Sequence, residues 1–211
     1  MRGEPMGVIV RLEGISRSFG GRAALKAVSA TATPGRLLVI AGANGSGKST
    51  LLKIAAGLIR PTAGKVVYED GTEQSPPFAF SSRIGFLSPE LMLYEELSPI
   101  ENLTFFGRLK GVADSEAAAE ALLGSVGLLD RADDPLSSFS SGMRQRVKYC
   151  FALMGEPDVL LLDEPTANLD EPGRQMVYSL IEGLRATRTI IMATNEREEV
   201  LLGDEKLLLH Q

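Results

Sequence analysis

Cysteine and histidine are nearly missing from this chain: each occurs once in 211 residues, as Cys150 and His210. A single cysteine excludes an internal disulfide, and its place in an apolar helical stretch reads as a buried structural thiol rather than a nucleophile. A reducing compartment is expected. Long apolar runs are missing too. None approaches the ~20 residues that a spanning helix needs, so the chain is not expected to cross a membrane itself. The first residues carry Arg2, Glu4 and Pro5 and lack the apolar core of a signal peptide, which predicts a cytoplasmic location. There is no basic excess: the net charge is −5, which gives no bias toward nucleic acid or anionic membrane. Arg144, Arg146 and Lys148 read as a solvated helix face. No internal repeat, low-complexity tract or long linker interrupts the chain. Its 44% apolar content and its length suit one domain with an inserted subdomain.

Against these absences stands one dense motif. Gly42-Ala43-Asn44-Gly45-Ser46-Gly47-Lys48-Ser49, followed by Thr50, fits the phosphate-binding pattern G-x-x-x-x-G-K-S. The glycines permit turns that a side chain would block. The loop N–H groups can then converge on a nucleotide's β-phosphate, Lys48 adds a positive charge, and the Ser49 hydroxyl can ligate Mg²⁺. The apolar run Leu37-Leu38-Val39-Ile40-Ala41 reads as a buried strand entering the loop. Leu51, Leu52, Ile54, Ala55 and Leu58 read as the apolar stripe of a helix leaving it. The N-terminus of that helix adds partial positive charge to the anion site.

The rest of the chain supplies an α/β frame. Residues 8–12, 65–68 and 84–87 read as strands, with a glycine turn at Gly20-Gly21 and a polar, proline-bearing loop over 71–77. From 89 to 156 the pattern is helical. Ser98-Pro99-Ile100-Glu101 is a capping box with proline in the first turn, residues 115–126 are alanine- and leucine-rich, and a third helix starts near Ser140. Residues 159–162, 189–193 and 206–209 read as strands, with an amphipathic helix over 172–186. Continuous apolar strands alternating with helices predict a mainly parallel sheet covered on both faces. The expected division is an α/β core of 1–88 and 157–211, with a helical subdomain at 89–156.

Asp163 and Glu164 close the strand at 159–162. A carboxylate there can hold the Mg²⁺ shell, and its neighbour can accept a proton from water. At this point the order of motifs resembles the ATP-binding subunit of ABC transporters, over nearly the whole chain. Residues 42–49 look like the Walker A loop, and Leu162-Asp163-Glu164-Pro165 looks like Walker B with its catalytic glutamate. Phe139-Ser140-Ser141-Gly142-Met143 resembles the L-S-G-G-Q signature, continued by Arg144-Gln145-Arg146, and Ala167-Asn168-Leu169-Asp170 looks like the D-loop. Phe19 stands where the family places an aromatic that stacks on adenine. The resemblance implies a phosphate-loop NTPase fold with an antiparallel N-terminal β part, and ATP with Mg²⁺ held by Ser49 and Asp163. It also implies a second ATPase subunit, because Ser140, Ser141 and Gly142 would face the γ-phosphate held by that subunit. A separate transmembrane subunit would dock near residues 88–111, which places the chain peripherally at the inner face of the membrane. No nucleic-acid partner is implied. Residues 93–103 resemble export-type members.

Two family elements are replaced. Asn195 stands where the family has a histidine after the strand at 189–193; it can hydrogen-bond a phosphate oxygen but carries no positive charge. Pro89 stands at the position of the Q-loop glutamine, with Ser88 and Glu90 as alternative oxygen donors. Binding chemistry is therefore expected to be intact and hydrolysis slow. A non-transport ATP switch, or the weaker ATPase half of a heterodimer, fits the same substitutions.

Overall fold

In the computed structural model, residues 7–209 are described; residues 1–6, His210 and Gln211 lie outside them. Two sheets form the frame. The antiparallel one contains β1 (Val8–Phe19), β2 (Arg22–Ala32), β4 (Ala63–Asp70) and β5 (Glu73–Ser75), in the order β2-β1-β4-β5. The parallel one contains β3 (Leu37–Ala41), β6 (Ile84–Leu87), β7 (Val159–Asp163), β8 (Thr189–Thr194) and β9 (Glu205–Leu208), in the order β6-β7-β8-β3-β9.

Every residue of β3, β7 and β8 is buried, and their side chains sort between two clusters with period two. Leu38, Ile40, Val159, Leu161, Ile191 and Ala193 face a core shared with the antiparallel sheet and with α1 (Lys48–Ala55). Leu37, Val39, Leu160, Leu162, Ile190 and Met192 face the other side, packed on Val177 and Ile181 of α5 (Glu171–Arg185). Covering both faces is what lets these strands be apolar throughout. A third cluster joins Leu103 of α2 (Pro99–Leu109), Leu123 of α3 (Ser115–Ser125) and Val147 of α4 (Ser141–Leu153). Cys150 is buried in it, and burial pushes its thiol up to about 12. The short α6 (Arg197–Leu202) follows β8.

Capping sets the helix starts as the sequence predicts. Ser98 and Glu101 form the reciprocal box of α2, with Pro99 in its first turn. Four expectations change. Leu58 does not join the stripe of α1: that helix ends at Ala55, Gly57 turns the chain at φ +76°, and Leu58 is 66% exposed. The loop over 71–77 contains β5. Residues 89–98 are extended and turned rather than helical. Arg144, Arg146 and Lys148 do not stand free in solvent. They donate to the carbonyls of Phe139, Val126 and Pro89, at 2.9, 3.4 and 3.1 Å, and so brace α4 on neighbouring loops.

Candidate functional site

All parallel strands point their carboxyl ends to one edge, and the loops at that edge carry the candidate residues. In such a sheet this edge is where ligands lie. Residues 42–47 follow β3, Asp163 ends β7, Asn195 follows β8 and Pro89 lies just beyond β6. β8 runs between β3 and β7, with Ala41 beside Thr194 and Asp163 beside Ala193. This pairing brings the loop and the acids together.

The loop is tightly built. Gly47 is the N-cap of α1 at φ +99°, a conformation that a side chain resists, and a Cβ there would lie 2.7 Å from the Ala24 carbonyl. A Cβ on Gly42 would meet Ser46 Oγ at 2.5 Å and the Leu209 carbonyl at 2.7 Å. No side chain caps α1, so its first N–H groups stay open. Lys48 is buried and folded over the loop, its Nζ donating to the carbonyls of Gly42 at 2.9 Å and Ala43 at 3.4 Å. The same Nζ stands 3.6 Å from Glu164 Oε1. Burial raises the proton affinity of the Asp163 carboxyl, opposed by the Ser49 hydroxyl beside it and by the Lys48 charge. Glu164 is raised for the same first reason, with Lys48 again opposing.

Three buried atoms at this edge, Ser46 Oγ, Asp163 Oδ1 and Glu199 Oε2, have no hydrogen-bond partner among the described residues. An unsatisfied buried carboxylate oxygen beside a serine hydroxyl is a donor set suited to a hard cation. Open helix N–H groups beside a lysine suit phosphate. The residues present therefore fit a magnesium nucleotide.

Two hollows flank the loop. One of about 650 Å³ is lined by Phe19, Ala24, Gly45, Ser46 and Leu208. Phe19 is half exposed there, and the Arg17 guanidinium lies 4.5 Å from its ring centroid. The other, of about 400 Å³, is lined by Asn44, Glu164, Asn168, Arg174 and Asn195. Asn195 Nδ2 donates to Asn44 Oδ1 at 3.1 Å, tying the strand-end residue to the loop. Thr50 lies in the first turn of α1. Of the two substitutes for the missing glutamine, Glu90 is taken by Lys53 at 2.7 Å, and Ser88 is buried with its Oγ accepting from Glu90 N–H.

Ser140, Ser141 and Gly142 do not join this edge within one chain. Ser140 caps α4, its Oγ accepting from Met143 N–H at 3.2 Å. Ser141 faces a separate hollow with Pro89, Arg144 and Asn168, to which none of residues 42–49 contributes. Three residues at the edge, Arg174, Tyr149 and Glu199, escape sequence reasoning, and a fourth, Gln145, enters it only as a continuation of the signature. Arg174 lines the Glu164 hollow and forms no ion pair among the described residues. Gln145, Tyr149 and Glu199 are buried polar side chains around the Glu164 turn. Residue type alone does not single them out in sequence, because α4 also carries Arg144, Arg146 and Lys148 and α6 also carries Glu198.

Comparison with known proteins agrees with the geometry. Residues 25–167 match the sequence profile of the family described as ABC transporter. The linearmycin resistance ATP-binding protein LnrL of Bacillus subtilis (strain 168) is 32% identical over 91% of this chain and 63% of its own length. The zinc import ATP-binding protein ZnuC of Yersinia enterocolitica is 36% identical over 98% of this chain and 78% of its own. The chain thus spans under two thirds of LnrL, and likewise 60% of the daunorubicin resistance protein DrrA3 of Streptomyces coeruleorubidus. A solved ATP-binding subunit of an ABC transporter superposes with a TM-score of 0.84 at 25% identity, covering 96% of this chain and 86% of that one. A phosphate loop after β3, acids at the end of β7 and these likenesses lead to one assignment: the chain belongs to the ABC transporter family of ATP-binding proteins.

Proposed function

We propose that the chain is the ATP-binding and ATP-hydrolysing subunit of an export-type transporter. It would seat on a separate membrane-spanning protein and close on a second ATPase subunit, identical or related. One observation carries the reading: Lys48, Asp163, Glu164 and Asn195 converge at one sheet edge around a loop whose helix N-terminus is uncapped. In this reading residues 42–50 grip the phosphates and Phe19 offers its ring to adenine. Ser49 and Asp163 hold Mg²⁺, which when bound neutralises charge on the phosphate oxygens. Glu164, whose proton affinity burial raises, takes the proton from the attacking water. Asn195 offers a hydrogen bond without charge. The loss of one positioned polar group costs about 10²-fold in rate, so intrinsic turnover is slow. Ser140, Ser141 and Gly142, solvent-facing and remote from their own loop, serve the partner's nucleotide. Residues 88–111 dock on the membrane protein, which holds the chain at the cytoplasmic face; among the described residues no helix is long and apolar enough to cross a membrane. Export is the direction supported by the resistance-named relatives and by residues 93–103, whereas ZnuC is named for import.

The Asn195–Asn44 bond and Pro89 also favour a second reading: a slow ATP switch outside transport, or the weaker half of a heterodimer. A Glu164→Gln variant tests the first. It is expected to bind Mg-ATP with unchanged affinity, to lose hydrolysis about 10²-fold or more, and to accumulate as a nucleotide-bound dimer on size exclusion. Retained hydrolysis would remove Glu164 from its role, and failure to dimerise would point to a different partner subunit.

A further inference from the structure

Glu164 has φ +48°, the left-handed region that a residue with a side chain adopts at a cost of about 1–2 kcal/mol. Such a conformation persists only where its surroundings fix it. Here four groups of the turn are tied, the Glu164 carbonyl among them through Ala167 N–H. Glu164 N–H donates to the Ala193 carbonyl of β8 at 2.9 Å. Pro165 has no N–H, and its carbonyl accepts two side chains from α4: the Tyr149 hydroxyl at 2.9 Å and Gln145 Nε2 at 3.1 Å. Thr166 donates its hydroxyl to Glu199 of α6 at 2.5 Å. Tyr149 and Glu199 are both 0% exposed. Burial holds the Tyr149 hydroxyl well above its ordinary value, so it remains a donor. An aliphatic side chain would fill the same space beside Leu153 and Leu160 but could not hold the carbonyl.

We propose that Tyr149, supported by Gln145, is a positioning residue that fixes the Glu164 carboxylate through the Pro165 carbonyl. The inference rests on Glu164 as the base. It adds a joint between two surfaces: α4 opens at Ser140, the surface assigned above to a partner's nucleotide, and two turns later grips the turn of its own site. A shift of α4 caused by one nucleotide is thereby felt at the other.

Tyr149→Phe keeps the ring and leaves the carbonyl with its Gln145 donor. Losing one such bond predicts a kcat about 3–10-fold lower, with KM for ATP unchanged and amide exchange at residues 166 and 167 faster. In a Glu164→Gln background the same change is expected to have no further effect on the residual rate. An unchanged kcat, a rise in KM that accounts for the lost activity, or an equal fall in the Glu164→Gln background would overturn the proposal. Gln145→Met, which removes the other donor, provides the same readouts should Tyr149→Phe fail to fold. If Glu164→Gln alone leaves turnover intact, the base assignment fails. The exchange rates then still report whether Tyr149 holds the turn.

Discussion

α1 and α4 both begin at loops of small residues, yet their first turns are finished differently. α1 has glycine at its N-cap and no side-chain cap; α4 has Ser140, whose hydroxyl already accepts a hydrogen bond from Met143 N–H. The first is an open anion site backed by a buried lysine and two acids. The second has one of its first N–H groups taken by its own Ser140 hydroxyl and is exposed at Ser140 and Ser141. A helix end with unmet donors is built to receive charge from its own chain's ligand. One whose cap already takes a donor has fewer left to offer, and under the proposed function its ligand is brought by a second body.

The largest test of this contrast is charge removal. Lys48→Ala should weaken Mg-ATP binding by about 10²-fold or more by titration calorimetry, the scale of a lost charge-assisted contact. Ser140→Ala should leave monomer affinity unchanged and abolish nucleotide-dependent dimerisation. Equal effects of the two variants on monomer affinity would break the comparison. Next comes shape. Gly47→Ala forces a Cβ to 2.7 Å from a backbone carbonyl at φ +99°, which should cost about 2–3 kcal/mol in urea unfolding. At Gly142 the nearest atom is the Asn168 carbonyl at 3.5 Å, so Gly142→Ala should leave the fold intact and act only on dimer formation.

A smaller effect concerns pH. Asp163 and Glu164 bind protons more tightly folded than their ordinary values of 3.8 and 4.5. Folding therefore takes up protons above that range, and the nucleotide-free protein loses stability as pH rises through the raised values. Asp163→Asn should stabilise it at neutral pH, flatten that slope and abolish Mg²⁺-dependent binding, whereas Ser140→Ala should leave the slope untouched. Unfolding curves from pH 4 to 8 decide this. The smallest effect is expected from Asn195→His, which replaces the tie to Asn44 with an imidazole and should raise turnover severalfold. No rise would show that the missing imidazole is not limiting.

Much of this was legible because the signals are local. The loop needs its glycines at fixed spacing, β3, β7 and β8 are apolar throughout, and the Ser98 box marks a helix start by chain-neighbour bonds. β2 escaped notice because its alanines, lysine and serine lack a strand's alternation; it is held by pairing with β1. α6 opens with Arg197, Glu198 and Glu199 and reads as solvated, yet Glu199 is buried because Thr166, 33 residues away, supplies its donor. The grip of Tyr149 on Pro165 is likewise a tertiary contact across 16 residues. Sequence pattern finds the groups that touch a ligand; the groups that aim them are fixed by packing between distant elements.

The carbonyl of Leu209, just beyond β9, occupies the space a side chain on Gly42 would need, and Leu209 N–H in turn donates to the Ala41 carbonyl. A chain made from its N-terminus, at about 5–20 residues per second, therefore has its phosphate motif in hand long before the wall behind it. Until residue 209 has been made, the backbone that walls the cradle behind Gly42 is missing.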